Sequence, residues 1–399
     1  MNEPHISAFC YLSTKLLKQS LKALKEWWVK IRWPFKKLSY LNWLGVNLSE
    51  LNPSAVVYSS GKIIAAKSFT QEEGVEALGE WLKHHNTAGM PSVLVLGDND
   101  YELLLTEAPD VPDDELNAAM EFRISDLLSQ PIEETAIQTI RLPEDAYRGR
   151  MSMAHVIAAK NKTIEGWVKW AEDLKLSISL ITVPELCLLN VLALFEIEQG
   201  IGLLELRPKQ GSLRLYQAGA LYLTRHVEVG IDALELNIHT TDGEEQAPEI
   251  EIEELDAEIE MDVATELDVE TGADPDEELE LADNLVGELD LAASTYVRFS
   301  AKEKVNEQQL ENLVLEVQRS LDYYESQLGM GQITRLWLMS EGIDLTDLVE
   351  AMDTRITAAV EQPNIAVMLE KLNFHIKSEH KNLNEVSVAI GGALAYVER

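Results

Sequence analysis

Two stretches of this chain carry one strand pattern at a fixed offset, and that duplication restricts the architectures open to it. LGVNLSELNPSAVVYSSGKIIAAKSF, Leu44 to Phe69, holds an apolar run, a break containing Pro53, and two further runs joined by S-S-G-K. LLELRPKQGSLRLYQAGALYLTRHV, Leu203 to Val227, repeats it without gaps. Leu48 aligns with Leu206, Ser54 with Ser212, Tyr58 with Tyr216 and Gly61 with Gly219, all 158 residues apart. Each copy reads as strand, turn, strand, tight turn, strand, because alternating apolar residues mark strands and Gly suits a two-residue hairpin turn.

The surroundings of each copy extend the repeat. Strand-like runs fall at about 43–48, 54–59, 62–69, 92–97, 101–107, 135–141, 151–158 and 177–182, with helical patterns at about 71–87, 112–129, 161–175 and 184–198. After the second unit, at 201–227, come helices near 302–328, 344–353 and 384–397 and a strand near 333–339. Duplicated β-β-β-α-β-α-β-α halves predict an α/β chain of ribonuclease-H-like, actin-type fold, two lobes with a cleft between them. The expected organisation is a basic arm at 1–39, a first lobe at 40–198, a second lobe at 199–239 and 293–399, and an acidic insertion at 240–292. In such an architecture the turn after each first strand faces the cleft. Gripping nucleotide phosphates there needs glycine for close backbone approach and an Asp for the metal.

Charge is distributed unevenly. The formal net charge is −36, yet residues 226–297 hold 25 Asp or Glu and no Lys or Arg, so the remainder stands at 33 − 44 = −11. No basic stripe is available on such a body, which argues against nucleic acid as a partner. Like-charge repulsion and scarce aromatics predict that 240–292 is a disordered, solvated spacer, with docking onto the basic arm as the other reading. The arm holds eight Lys or Arg against two Glu. Leu17, Leu21, Leu24, Trp28 and Ile31 recur at helical spacing, with Lys15, Lys18, Lys22 and Lys25 to one side and Trp27 and Trp33 on the other; Lys30 and Arg32 join them and Trp28 as candidate membrane or partner contacts. A basic amphipathic helix bordered by Trp suits a membrane interface, and equally a partner helix. Cys10 and Cys187 have no metal or disulfide spacing and predict a reducing compartment. No uncharged apolar run is long enough to span a bilayer, and no secretory signal pattern opens the chain.

Several segments resemble the PilM family of type IV pilus proteins, and within it those of the mannose-sensitive haemagglutinin (MSHA) pilus. PFKKLSYLNWLGVNL, VPDDELNAAMEFRISDLLSQPIEE, MAHVIAAKNKTIEGWVKWAEDLKLSISLITVPELCLLN, EVQRSLDYYESQ and SVAIGGAL carry the resemblance. It covers about residues 35–235 and 310–397. Active members read roughly G-I-D-I-G-S in the first turn, where this chain has Gly45, Val46, Asn47, Leu48, Ser49 and Glu50. The second turn, D-I-G, becomes Glu205, Leu206 and Arg207, and S-G-G-G on the adenosine side becomes Ser340, Glu341, Gly342 and Ile343. The resemblance therefore implies a degenerate nucleotide cleft with no cofactor and no catalysis. The alternative is a remodelled Mg–ATP site in which Asn47 and Glu205 hold the ion weakly and Arg207 meets a phosphate. It further implies a cytoplasmic scaffold, peripheral at the inner membrane of a Gram-negative bacterium. Its partner would be the cytoplasmic tail of a PilN-like (MshJ-type) inner-membrane protein, with the pilus assembly motor nearby. A peripheral membrane protein acting through its basic helix is the remaining reading.

Other chemistry is excluded or weak. No G-x-x-x-x-G-K-[ST] loop or nucleophile elbow occurs. Asp98 and Asp100 in GDND predict a turn between strands, and Trp337 in RLWLM predicts core.

Overall fold

The computed structural model describes residues 42–195, 200–235, 305–340, 343, 345–371, 375–376 and 383–396. The basic arm, the acidic insertion, Glu341 and Gly342 lie outside the described residues.

The first repeat unit folds as predicted, with β1 (Asn42–Asn47), β2 (Ser54–Ser59) and β3 (Lys62–Ser68) as an antiparallel meander. The period-2 alternation of side chains sends Leu44, Val46 and Leu48 to one face of β1 and Trp43 and Gly45 to the other. Both faces are covered, so β1 is buried almost throughout. Helix α1 (Gly74–His84) follows a reciprocal capping turn, in which Thr70 N–H donates to Glu73 Oε2 at 2.8 Å and Glu73 N–H to Thr70 Oγ1 at 3.3 Å. That turn is why the helix begins three residues later than its apolar pattern.

Strand β4 (Pro91–Val95) then joins β1 in parallel. A separate three-stranded antiparallel sheet is inserted here, from β5 (Tyr101–Glu107), helix α2 (Asp113–Ile124), β6 (Thr135–Arg141) and β7 (Met153–Lys160). Leu116, Met120 and Ile124 seat α2 on that sheet, while Phe122 on its far side is 86% exposed. Helix α3 (Asn161–Asp173) and strand β8 (Ser177–Thr182) return the chain to the main sheet, and α4 (Pro184–Leu192) leaves it. The helical pattern at 184–198 thus covers a shorter α-helix followed by a 3-10 turn at Ala193–Phe195.

The second repeat unit gives β9 (Ile201–Leu206), β10 (Gly211–Gln217) and β11 (Ala220–Val227). Helix α5 (Glu307–Tyr323) starts where Asn306 Oδ1 accepts from Gln309 N–H at 3.2 Å and ends in a π-helical turn, Tyr324–Leu328. β12 (Arg335–Met339) joins β9 in parallel, α6 (Thr346–Asp353) follows, and β13 (Ala359–Glu361) completes a five-stranded sheet. Three short elements absent from the sequence reading occur here: β13, helix α7 (Ile365–Lys371) and β14 (His375–Ile376), which crosses back to pair with β3. The last helix, α8 (Ser387–Ala393), is half the length its pattern suggests, since residues 383–386 form turns around Asn384. Asn384 Nδ2 donates to Pro363 O at 2.8 Å, and its Oδ1 accepts from Ile365 N–H.

The two units match in detail beyond their strands. Each hairpin has its register shift at the same place, between Val57 and Tyr58 and between Leu215 and Tyr216. Each turns through two residues with positive φ, Ser60 and Gly61 in one and Ala218 and Gly219 in the other. Burial follows the same plan. One apolar cluster fills the outer side of the first lobe, another the second, and a third joins them through Trp43, Leu188, Leu203, Trp337 and Ile390. Trp337 is 1% exposed, as expected of core.

Helix α8 presses against β1 and α4 with almost no separation. A Cβ at Gly45 would collide with the Ala389 carbonyl, and one at Gly391 with the Cys187 carbonyl. Gly45, which the resemblance aligns with the start of a nucleotide turn, thus lies inside β1 and admits a helix.

Candidate functional site

Between the lobes, the ends of β1, β4, β9 and β12 meet in one cleft. Asn47, Ser49, Gly97 and Asp98 line it from the first lobe, and Glu205, Arg207 and Ser340 from the second. Strand pairing explains why they converge. β1 and β9 are the central strands of their sheets, each flanked by the next strand of its hairpin and by a parallel neighbour, β4 or β12. Their C-terminal ends therefore open on the same side as those neighbours. That is where ligands of parallel α/β sheets sit.

The polar side chains here are engaged with one another. Asn47 is 7% exposed; its Nδ2 donates to Asn52 O at 3.4 Å and its Oδ1 accepts from Ser49 N–H at 3.4 Å. On the opposite side, Arg207 donates through Nη1 to Asp98 across the cleft, and through Nη2 and Nε to Glu205 Oε1 at 3.1 and 3.3 Å. Glu205 Oε2 accepts from Arg214 Nη1 at 2.7 Å. Arg214, 1% exposed, donates in turn through Nε to Glu185 Oε1 at 3.3 Å, and Glu185 Oε2 accepts from the Tyr101 hydroxyl at 2.7 Å. The Tyr216 hydroxyl donates to the Glu185 carbonyl at 3.1 Å. The result is an alternating chain, Asp98–Arg207–Glu205–Arg214–Glu185, with its ends on the first lobe and its middle on the second.

Electrostatics keep the buried guanidinium of this chain charged. Burial opposes the charge of Arg214, but Glu185 and Glu205 on either side hold its guanidinium protonated, well above its ordinary range. Burial, followed by the Glu185 carboxylate, pushes the Tyr101 hydroxyl well above the usual tyrosine range, so it remains a donor. Beside them, burial pushes His155 down to about 4. Its Nε2 lies 3.1 Å from the Leu221 carbonyl on β11, and its buried Nδ1 has no hydrogen-bond partner.

The sequence-derived positions are distributed as follows. Asn47, Ser49, Glu205 and Arg207 are brought together in the cleft. Ile343, read as an adenosine-side position, is 8% exposed and packs in the second lobe's core. The chain leaves β12 at Ser340 and turns its next described side chain inward. Glu341, Gly342 and the arm residues Lys15, Lys18, Lys22, Lys25, Trp27, Trp28, Lys30, Arg32 and Trp33 lie outside the described residues. In GDND it is Asp100 that closes the turn, accepting from Gly97 N–H at 3.2 Å and from Trp167 Nε1 at 2.8 Å. Burial raises its carboxyl above the usual range, against those two bonds.

Asp98, Arg214 and Glu185 were missed by sequence reasoning. The repeat held a signal for Arg214, since its partner at the same offset is the apolar Val56. A charge in the buried middle of a strand needs carboxylates beside it, and Glu185 and Glu205 supply them. EVQRSLDYYESQ also has a visible structural task. The Tyr323 hydroxyl is 3.2 Å from that of Tyr147, and Tyr324 packs edge-on against Tyr222 at 5.9 Å, tying α5 to the β6–β7 connection and to the second hairpin. Among the described residues no cluster of three metal-ligating side chains occurs, and no helix is long and apolar enough to cross a membrane.

No protein-family model matches the sequence, and no curated protein matches it. Solved structures do. The PilM–PilN type IV pilus biogenesis complex superposes with a TM-score of 0.59 at 18% identity, covering 89% of this chain and 98% of that one. The cytoplasmic domain of EpsL, an inner-membrane component of the type II secretion system of Vibrio cholerae, gives 0.40 at 13% identity, covering 83% and 93%. An archaeal actin homologue, Ta0583, gives 0.35 at 9%, covering 89% and 99%. The chain has the actin-like ATPase fold, two lobes of mixed sheet around a cleft.

Proposed function

We propose that this protein is a non-catalytic scaffold of a type IV pilus assembly platform, of the MSHA kind in which MshI acts. In this reading it holds the cytoplasmic tail of a PilN-like (MshJ-type) inner-membrane protein. The observation that carries the non-catalytic part is the use of the cleft's donors and acceptors. In an actin-like fold the two turns would hold Mg²⁺ and the phosphates of ATP. Here both Glu205 oxygens accept from arginines, Arg207 is paired with two carboxylates, and the Asn47 amide is bonded to its own turn. A magnesium ion seeks free oxygen ligands in octahedral array. The residues present do not fit one.

The scaffold part is supported by the likeness to the structure in which PilM is solved with PilN. A short tail lying extended in a groove of the first lobe would use main-chain hydrogen bonds for affinity and side-chain pockets for choice. The basic arm supports placement at the cytoplasmic face of the inner membrane, because each Lys or Arg near anionic lipid contributes about 1 kcal/mol. Surface retention would raise the effective concentration for a membrane partner.

Two measurements test the reading. A pull-down of the full chain with the N-terminal tail of its PilN-like partner should retain the tail, and failure to do so removes the scaffold. Calorimetry with Mg–ATP should register no binding, and micromolar affinity would return the protein to the nucleotide-driven class.

A further inference from the structure

We propose that Asp98, Arg207 and Glu205 form a ligand-independent latch that fixes the entry to the inserted three-stranded sheet against the second lobe. The proposal rests on the reading of the cleft as one that takes no nucleotide, and adds what occupies the role of the ligand. Asp98 and Glu205 approach from opposite lobes, and two carboxylates there would repel without a cation between them. The guanidinium of Arg207 supplies it. Its planar fork offers Nη1 to Asp98 while Nη2 and Nε reach Glu205 Oε1 at 3.1 and 3.3 Å.

The latch has a firm base on each side. Arg207 N–H donates to Gln210 O and its carbonyl accepts from Ile231 N–H, each at 2.9 Å, so the side chain reaches out from backbone held at both ends. Glu205 is held by Arg214 at 2.7 Å, and Arg214 by Glu185 on α4 at 3.3 Å. Asp98 follows Gly97, which packs so closely on the Leu48 carbonyl that a Cβ would overlap it at 2.9 Å. Three residues later Tyr101 opens β5, one edge strand of the inserted sheet. Holding Asp98 therefore holds the chain connection by which that sheet is entered. Arg207 acts as a positioning residue with no chemistry of its own.

Hydrogen exchange on the full chain tests this, comparing wild type with Arg207→Met, Asp98→Asn and Asp98→Glu at the amides of residues 97–107. The expected result is exchange faster by about tenfold or more in Arg207→Met and Asp98→Asn, with Asp98→Glu near wild type and far-UV circular dichroism unchanged throughout. Asp98 has a side chain 33% exposed, so Asp98→Asn tests the latch even should Arg207→Met fail to fold. Unchanged exchange in Asp98→Asn overturns the latch, and so does equal loosening in Asp98→Glu. The same samples with Mg–ATP separate the two readings. Protection of the wild-type cleft by nucleotide would overturn the no-nucleotide reading, leaving the latch to stand or fall on the comparison of Asp98→Asn with Asp98→Glu.

Discussion

The first and second repeat units share strand register, the position of the register shift and the positive-φ hairpin turn, yet their inward-facing chemistry has diverged. At matched positions the first unit has Gly45, Asn47, Ser49 and Val56, where the second has Leu203, Glu205, Arg207 and Arg214. The first unit is neutral and closes on itself. The second is charged and reaches across the cleft. Backbone geometry is preserved because it is set by strand alternation and a two-residue turn, which many side chains satisfy. The side chains differ because each unit meets a different neighbour: α8 lies on Gly45, while α4 presents Glu185 to Arg214.

Exchanging matched residues between the units breaks the comparison where it matters most. Arg214→Val, which copies the first unit into the second, leaves Glu185 and Glu205 without their shared cation. Removing one partner of a buried pair costs about 3–5 kcal/mol, readable as a lower urea midpoint with unchanged slope. Adding Glu185→Gln should recover part of that loss, because the stranded carboxylate is gone while Glu205 keeps Arg207. A side chain added at Gly45 in the first unit is nearly as severe. Gly45→Ala drives a methyl into the Ala389 carbonyl and is expected to cost about 3 kcal/mol by overpacking, whereas Leu203→Ala in the second unit leaves a cavity and costs about 2–5 kcal/mol.

The outer strands sharpen the contrast. β3 of the first unit pairs with β14, but at the matching position on β11 the Leu221 carbonyl meets His155. Burial lowers His155 from 6.5 to about 4 in the folded chain, so the unfolded chain binds its proton first as pH falls. Stability is present above about 6.5 and is lost between there and about 4, by about 3 kcal/mol in all. Denaturation at several pH values should show that slope, and His155→Gln should flatten it.

The smallest effect concerns the span between Glu235 and Val305, whose flanking described residues meet in the second lobe. Asn306 N–H donates to the Leu234 carbonyl at 3.1 Å, and its side chain to Glu235 at 3.3 Å. On the sequence expectation of a solvated spacer, replacing residues 240–292 by about six residues should stabilise the fold by about 2 kcal/mol through a shorter loop closure. Unchanged stability would mean that the insertion contributes contacts of its own.

The duplicated halves, the order of nearly every strand and the four cleft positions Asn47, Ser49, Glu205 and Arg207 were legible in the residues. Alternation, turn chemistry and a gapless repeat are local signals. The short elements β13, α7 and β14 were not, since segments of a few residues carry no period. The inward packing of Ile343 was not legible either, because a loop alignment cannot say on which side of a strand end the chain turns.

By itself the sequence determined that this protein is two copies of one unit with altered turns, because strand period and hairpin geometry act over neighbouring residues. Only the tertiary structure decided what the altered residues do. Asp98, Glu185 and Arg214 come from three separate stretches of chain, and an ion pair depends on distance in space, which no local pattern encodes.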